Sequence, residues 1–148
     1  MIAVVGTLAG SGLTYLFGRL TARRTERVAR HERLRQERIN AYVTFAGALT
    51  ELRQALISLW FLKRGEPDAA DARAAHTESD KRGAAAHLAR LSIRLLTDDA
   101  ELLGHADRVF GPVDGLVNAK DLSELKALEV KSEEMLAAFI EVAGRQVR

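Results

Sequence analysis

The sequence predicts an all-α protein made of a single N-terminal transmembrane helix, a basic helical neck and an antiparallel bundle of three to four helices. Three observations favour this fold class. Residues 1–18 carry no charged side chain, eight Arg follow within residues 19–38, and apolar residues recur at helical spacing through the rest of the 148-residue chain. The strand pattern, an alternation of period two, does not occur. We therefore divide the chain into an anchor (1–18), a basic juxtamembrane helix (19–41) and a cytoplasmic helical bundle (42–148).

The composition supports a packed domain and excludes cysteine chemistry. Apolar residues make up 47% of the chain, which is enough for a core. Because the chain has no Cys, disulfides, thiolate nucleophiles and cysteine-ligated metals are excluded. The net charge of +2 conceals a split, since residues 19–38 contain eight Arg and three Glu, whereas residues 39–148 contain fourteen Lys and Arg against seventeen Asp and Glu.

The apolar start of the chain predicts the anchor. Residues 2–18 read IAVVGTLAGSGLTYLFG, and as a helix they span about 25 Å, close to the lower limit for crossing a bilayer. Because the Arg cluster follows this segment and none precedes it, the positive-inside rule places Met1 outside and the bundle in the cytoplasm. A cleaved signal peptide would need a basic region before the apolar stretch. A buried core helix of a soluble protein is an open alternative, although four Gly disfavour a soluble helix.

A stripe of small residues within the anchor predicts self-association. Four residues recur at spacings of four and therefore share one helix face: Gly6, Gly10, Thr14 and Gly18. Small residues at this spacing allow two membrane helices to approach closely.

The neck follows as RLTARRTERVARHERLRQERINA and contains neither Pro nor Gly, so we expect a solvated helix. Its first five arginines lie close enough to a membrane surface to contact anionic lipids: Arg19, Arg23, Arg24, Arg27 and Arg30. An Arg-rich helix is also a footprint for nucleic-acid phosphates. We do not expect nucleic acid as a partner, because no aromatic stacking residue and no DNA-binding motif accompany the run.

The bundle is predicted from apolar spacing and capping signals. A heptad seam typical of a coiled coil or bundle helix runs through Tyr42, Phe45, Leu49, Leu52, Leu56 and Leu59. This helix is expected from near Thr25 to Arg64, where Gly65 and Pro67 follow. A second helix starts near Asp68, and its residues 84–96 place Ala85, Leu88, Leu91, Leu95 and Leu96 on one side. Thr97 is expected to cap a third helix, which Gly111-Pro112 should kink or break. Asp121 and Glu124 form the capping box of the last helix, whose seam runs from Leu125 to Ala143.

The end of the first bundle helix is a candidate partner interface. Residues 56–62 are apolar on nearly every side, and we expect them to form the most buried layer of the bundle. Adjacent residues of a helix point about 100° apart, so Trp60 and Phe61 cannot both face one narrow seam. One should be core and the other, together with Leu62, should be covered by a later helix or by a second molecule.

Searches for catalytic and cofactor chemistry yield no candidate residue. The sequence lacks paired Glu-x-x-His motifs, a GxSxG elbow, a phosphate-binding glycine loop and HExxH. Glu101 and His105, four residues apart, could ligate a metal, but such a pair usually consists of two surface side chains without a metal. We therefore expect no enzyme, no cofactor and no metal site.

Four segments carry a resemblance to known proteins: GTLAGSGLTYLF, RLRQERINAYVTFAGALTELR, LSIRLLTDDAEL and FIEVAGRQVR. The chain resembles small uncharacterised helical proteins with an N-terminal anchor that occur in actinobacteria such as streptomycetes. The resemblance implies a bacterial inner-membrane location and an anchor–neck–bundle organisation. It implies no catalytic or binding residues.

The sequence thus predicts a membrane-tethered helical scaffold or interaction module that forms homo-oligomers and holds an unknown protein partner. Two other functions remain open. One is a soluble Arg-rich regulator that binds nucleic acid, with residues 2–18 in its core. The other is a helical bundle that binds a metal or another ligand.

Overall fold

The chain folds into helices joined by short turns. The computed structural model describes the backbone of residues 3–148 and the side chains of residues 25–148. The helices are α1 (Ala3–Arg64), α2 (Ala69–Leu96), α3 (Ala100–Arg108), α4 (Phe110–Gly115) and α5 (Leu122–Gln146), with a 3₁₀ turn (Leu116–Asn118) before α5. No strand occurs within residues 3–148, which confirms the all-α class.

Two compact units divide the chain, residues 1–36 and residues 37–148. The first unit consists of the N-terminal part of α1, and Arg35 pairs with Glu32 at 3.2 Å on its surface. Among the residues whose side chains are described, no helix has a stretch that is both long and apolar enough to span a membrane. The predicted anchor, residues 1–18, lies outside those residues.

The second unit is a four-helix bundle whose long helices run antiparallel. The Tyr42 hydroxyl, in the second half of α1, donates to Oε1 of Gln146 at the end of α5 over 3.3 Å. Further along, Arg53 pairs with Glu133 at 2.8 Å. Sequence position rises along α1 as it falls along α5, so the two helices are antiparallel.

The bundle consists of four rods: the second half of α1, α2, α3 with its continuation, and α5. The direction of the chain also alternates between the first, second and third rods. Arg38 Nε donates to the Leu96 carbonyl at 2.9 Å, which brings the end of α2 beside the bundle portion of α1. Arg94 pairs with Asp107 of α3 at 2.7 Å, and Arg145 of α5 pairs with Glu101 at 2.8 Å. The third rod is α3 continued by α4 and the 3₁₀ turn. The bundle therefore runs up, down, up and down, as short loops between helices require.

The predicted seams form the core. Each of the six seam residues of α1 is buried: Tyr42, Phe45, Leu49, Leu52, Leu56 and Leu59. Within residues 56–62, Leu56, Leu59 and Trp60 are buried, whereas Ser58 and Phe61 are exposed. The expectation that this segment forms the most buried layer is therefore wrong, because only one side of the helix is covered there.

Aspartates begin three helices by capping exposed N–H groups. Asp68 caps α2, Asp99 caps α3 by accepting from Leu102 N at 2.7 Å, and Asp121 caps α5 by accepting from Glu124 N at 2.8 Å. The predicted cap at Asp121 is confirmed, and α2 begins beside Asp68, where a helix start was predicted. Thr97 instead ends α2, and its hydroxyl accepts from Asp99 N at 3.2 Å, so the predicted cap of α3 lies two residues too early.

The third rod breaks as the proline predicts. Proline has no N–H to donate to the carbonyl four residues earlier, and that carbonyl belongs to Arg108, the last residue of α3. Pro112 lies in the first turn of α4, where the missing N–H is tolerated. The apolar spacing continues across this break, because Val109 and Val113 are both buried.

Helix α2 packs on the bundle through mainly small residues and leaves three leucines exposed. Its buried residues are Ser79, Ala86, Ala89 and Ile93. The leucines that share its other side are exposed by 66% (Leu88), 52% (Leu91) and 86% (Leu95). The stripe predicted for residues 84–96 is therefore not the face that packs on the bundle. Small side chains allow α2 to approach the bundle closely, and the leucines are left in solvent.

Candidate interaction surfaces

The C-terminal end of α1 is fastened to the start of α5 through two side chains. Trp60 Nε1 donates to the Ala119 carbonyl at 2.7 Å, and Arg64 donates to the carbonyls of Ala119 and Lys120 at 2.7 and 2.8 Å. The Arg64 guanidinium also stacks over the Trp60 ring, 3.6 Å from its centroid. These contacts satisfy carbonyls that the turn before α5 would leave without partners.

Trp60 is therefore core, whereas Phe61 is 54% exposed. The Phe61 ring packs edge-to-face on Trp60 with 4.9 Å between centroids, and Leu62 is half-buried. The surface that this end offers to another molecule consists of Phe61 together with part of Leu62. The buried Trp60 contributes to this surface only indirectly, because the Phe61 ring packs against it.

An apolar groove runs between α1 and α5 on the outside of the bundle. It has a volume of 480 Å³. The α1 side is formed by Ile39, Tyr42, Val43, Ala46, Gly47 and Thr50. The α5 side is formed by Leu136, Phe139, Ile140, Ala143, Gly144 and Val147. Only the hydroxyls of Tyr42 and Thr50 supply polar side-chain atoms to this lining, which suits an apolar side chain better than a polar substrate.

Small residues keep the groove open. A Cβ added at Gly47 or Gly144 would meet no heavy atom within 4 Å. Val43 and Ile140 protrude beside these glycines, and both are exposed. The groove is thus a concave surface with apolar edges.

The second uncovered apolar surface is the leucine ridge on α2, defined by Leu88, Leu91 and Leu95. Spacings of three and four place these residues on one face, as in the seam of a coiled coil. Ile93 and Ala89 lie on the opposite face, where they are buried. The ridge therefore points away from the face of α2 that packs on the bundle.

Tyr42 lines the groove and also belongs to the buried core. Burial raises the pKa of its hydroxyl above the ordinary value of 10.0, against a smaller lowering by the Arg38 guanidinium. Its ring packs edge-to-face on Phe139 with 6.1 Å between centroids.

Tyr42 should make the bundle sensitive to alkaline pH. Because its pKa is raised by folding, the stabilisation is complete below pH 10.0 and declines as pH rises and the unfolded chain loses the proton first. The melting temperature of the normal chain should therefore fall more steeply between about pH 9 and about pH 11 than that of Tyr42→Phe. Equal slopes in circular dichroism melts of the two proteins would contradict this assignment.

Glu101 of the candidate metal pair binds another helix. It accepts from Arg145 of α5 at 2.8 Å, and this ion pair joins α3 to α5. His87 stacks face-to-face on Phe110 with 4.6 Å between ring centroids. Among the residues whose side chains are described, no three His, Asp or Glu groups are arranged to hold a metal ion.

Most of the predicted membrane residues lie outside the described side chains. This applies to the small-residue stripe (Gly6, Gly10, Thr14 and Gly18) and to three of the lipid-facing arginines (Arg19, Arg23 and Arg24). The other two arginines, Arg27 and Arg30, are exposed on α1.

The helical bundle is similar to a known protein family. A family model described as KilB plasmid transfer protein matches residues 39–147. The chain belongs to the KilB family. The KilB match begins at Ile39, the first residue that lines the groove, and includes the leucine ridge and the end of α1. No curated protein and no solved structure matches this chain.

Sequence reasoning missed the groove and misplaced the ridge. The leucine spacing in α2 predicts one side of a helix, but spacing does not tell whether that side faces the core or the solvent. The groove had a weaker signal, namely Gly47 and Gly144 beside apolar residues within two good helices, where glycine is unfavourable.

Proposed function

We propose that this KilB-family chain is a membrane-tethered helical interaction module that self-associates and holds a protein partner during plasmid transfer. The observation that carries the tether is the uncharged segment 2–18 followed directly by eight Arg. The family description, plasmid transfer protein, supplies the process.

The bundle supports a role in binding. Its groove is lined almost entirely by apolar side chains, its ridge exposes three leucines, and Phe61 lies uncovered at the end of α1. Exposed apolar surfaces of this kind are typical of interfaces between proteins. A module with several such surfaces can hold more than one molecule at the same membrane.

The N-terminal region supplies the orientation in this proposal. The bundle lies in the cytoplasm of a bacterial cell, and Met1 lies outside the inner membrane. The five arginines from Arg19 to Arg30 contact anionic headgroups, each worth about 1 kcal/mol close to the surface. The stripe of Gly6, Gly10, Thr14 and Gly18 brings two anchors together.

Membrane extraction tests the tether. The full chain should remain in the pellet after alkaline carbonate treatment, which removes peripheral proteins. The double variant Leu8→Arg and Leu13→Arg should move to the supernatant, because two arginines near the bilayer centre cost about 5–7 kcal/mol of insertion. The matched control, Leu8→Ile with Leu13→Ile, should stay in the pellet.

The same preparation tests the topology. A reporter fused after Arg148 should be active in its cytoplasmic form only. A normal chain that is freely soluble would overturn the tether, and binding of that soluble chain to DNA would favour the nucleic-acid regulator. Activity of an external reporter would overturn the orientation.

A further inference from the structure

The outer face of α2 carries large side chains in its C-terminal half and small ones in its N-terminal half. The large ones are the leucine ridge, exposed by 66% (Leu88), 52% (Leu91) and 86% (Leu95). Spacings of three and four continue from the ridge towards the N-terminus through Ala84 and Lys81, which are both exposed.

The same spacing then reaches three small residues, Ala70, Ala74 and Thr77, which we call the alanine stretch. All three are exposed. The buried residues of α2, such as Ala86 and Ile93, lie on the opposite face. One uncovered seam therefore runs the length of α2, small at one end and large at the other.

This seam is complementary to itself when two copies of α2 run antiparallel. Reversing the second helix places each leucine of the ridge opposite a residue of the alanine stretch, since the steps between residues are the same in both directions. The three layers are Leu95 on Ala70, Leu91 on Ala74 and Leu88 on Thr77. Each layer joins one large and one small side chain, so the distance between the helices is the same along the whole contact.

A parallel pair lacks this match. It would place leucine on leucine at one end and alanine on alanine at the other, so the helices could close tightly over only one half. It would also bring the two Lys81 side chains together, which repel each other. In the antiparallel pair Lys81 instead faces Ala84, and its long side chain extends past this small residue into solvent.

The match also says which molecule covers the ridge. The alanine stretch cannot reach the ridge of its own chain, because both belong to one straight helix and face the same way. A second copy brings the small residues at the spacing that the leucines require.

The size of the contact is that of a weak interface. From Ala70 to Leu95 the seam extends about 37 Å, and a strip about 10 Å wide on each copy gives about 750 Å² in total. Areas below about 1,200 Å² are typical of transient contacts. The pairing should therefore be strongest where copies are concentrated, as in one membrane.

We propose that α2 pairs antiparallel with α2 of a second copy, with the leucine ridge of each packed on the alanine stretch of the other. The contact is symmetric and closes at two chains. It deepens the self-association in the proposed function and rests on that function, although all its residues belong to the bundle. Because α1 and α2 run antiparallel within each bundle, the two chains enter the pair from opposite ends, and the anchor stripe links chains of different pairs.

Single introduced cysteines report the pairing and its direction, because the chain contains no Cys. We would mix two full-length variants, Leu91→Cys and Ala74→Cys, in membranes and oxidise them. A disulfide needs a Cα separation of about 4.4–6.8 Å, so it forms only where the two positions meet. Differently sized tags on the two variants distinguish mixed from self-linked products on a non-reducing gel.

The mixed disulfide should form about tenfold faster than either self-linked product, because pairing raises the effective concentration of the two thiols. In the antiparallel pair, two Leu91→Cys positions lie about 25 Å apart along the helix axes and cannot link. Dominant self-linking of Leu91→Cys would show parallel pairing and overturn the proposal. Equal rates for all three products would overturn it as well.

Exchanging the two residues of one layer tests the packing. With reporters at the neighbouring layer, Leu88→Cys and Thr77→Cys, the variant Ala74→Leu should slow the mixed disulfide about tenfold by placing two leucines in one layer. Adding Leu91→Ala to the same chains restores one large and one small residue and should restore the rate. Absence of this rescue would show that these residues do not face each other.

Folding and the anchor are controlled separately. Because Ala74 and Leu91 are exposed, their exchange should leave the melting temperature unchanged, and Val130→Leu, at an exposed position on α5, should leave the disulfide rate unchanged. In the background of Gly6→Ile and Gly10→Ile the mixed disulfide should persist, and its loss there would overturn a contact within the bundle. A chain that fails to stay in the membrane pellet but still prefers the mixed disulfide would refute the tether and leave this inference standing.

Discussion

Phe45→Ala should destabilise the bundle by about 3–5 kcal/mol, a large part of the ~5–15 kcal/mol that holds a domain folded. Phe45 is completely buried and meets aromatic rings from two other rods of the bundle. Its centroid lies 4.9 Å from that of Phe139 in α5 and 6.0 Å from that of Phe110 in α4. Truncation removes these contacts and leaves a cavity that three helices cannot close together.

Urea unfolding followed by circular dichroism measures this loss. The matched control is Val43→Ala, two residues earlier on the same helix, where the side chain is 66% exposed. Exposed substitutions of this kind change stability by about 0.5 kcal/mol or less. A Phe45→Ala midpoint within the error of the control would show that the core is not organised around these three rings.

Trp60→Ala should lower the stability of the fold strongly, whereas Phe61→Ala should leave it nearly unchanged, although the two residues are adjacent. Trp60→Ala removes a buried ring, its hydrogen bond to Ala119 and the surface on which Arg64 stacks, so the expected loss is about 3–5 kcal/mol. Phe61→Ala removes an exposed ring that rests on Trp60 and should leave the melting temperature nearly unchanged. If Phe61 binds a partner, its truncation should reduce partner capture from native membranes.

Trp60→Phe separates packing from hydrogen bonding. It keeps an aromatic ring but removes the N–H, so it should cost less than Trp60→Ala while leaving the Ala119 carbonyl with Arg64 as its donor. If Phe61→Ala destabilises the fold as much as Trp60→Ala and leaves partner capture unchanged, the end of α1 is ordinary core and not an interface.

The sequence by itself determined the helices and much of the core. Apolar spacing in residues 42–59 identified the seam of α1, the polar Ala-rich segment placed the start of α2 near Asp68, and the capping residue Asp121 marked the start of α5. These signals are local, because a cap bonds within one turn and a helical stripe depends only on 3.6 residues per turn. The break before Pro112 followed from the covalent structure of proline in the same way.

The tertiary structure decided which apolar face is covered and which surfaces remain open. In α2, spacing alone identified Leu88, Leu91 and Leu95 as a stripe, but the bundle packs on Ala86, Ala89 and Ile93. Periodicity measures amphipathicity, whereas burial depends on how closely neighbouring helices can approach, and small residues allow the closer approach. The groove between α1 and α5 likewise exists only when residues some ninety positions apart meet. The ion pair of Arg53 with Glu133 has the same origin, because the antiparallel order of four rods brings these side chains together.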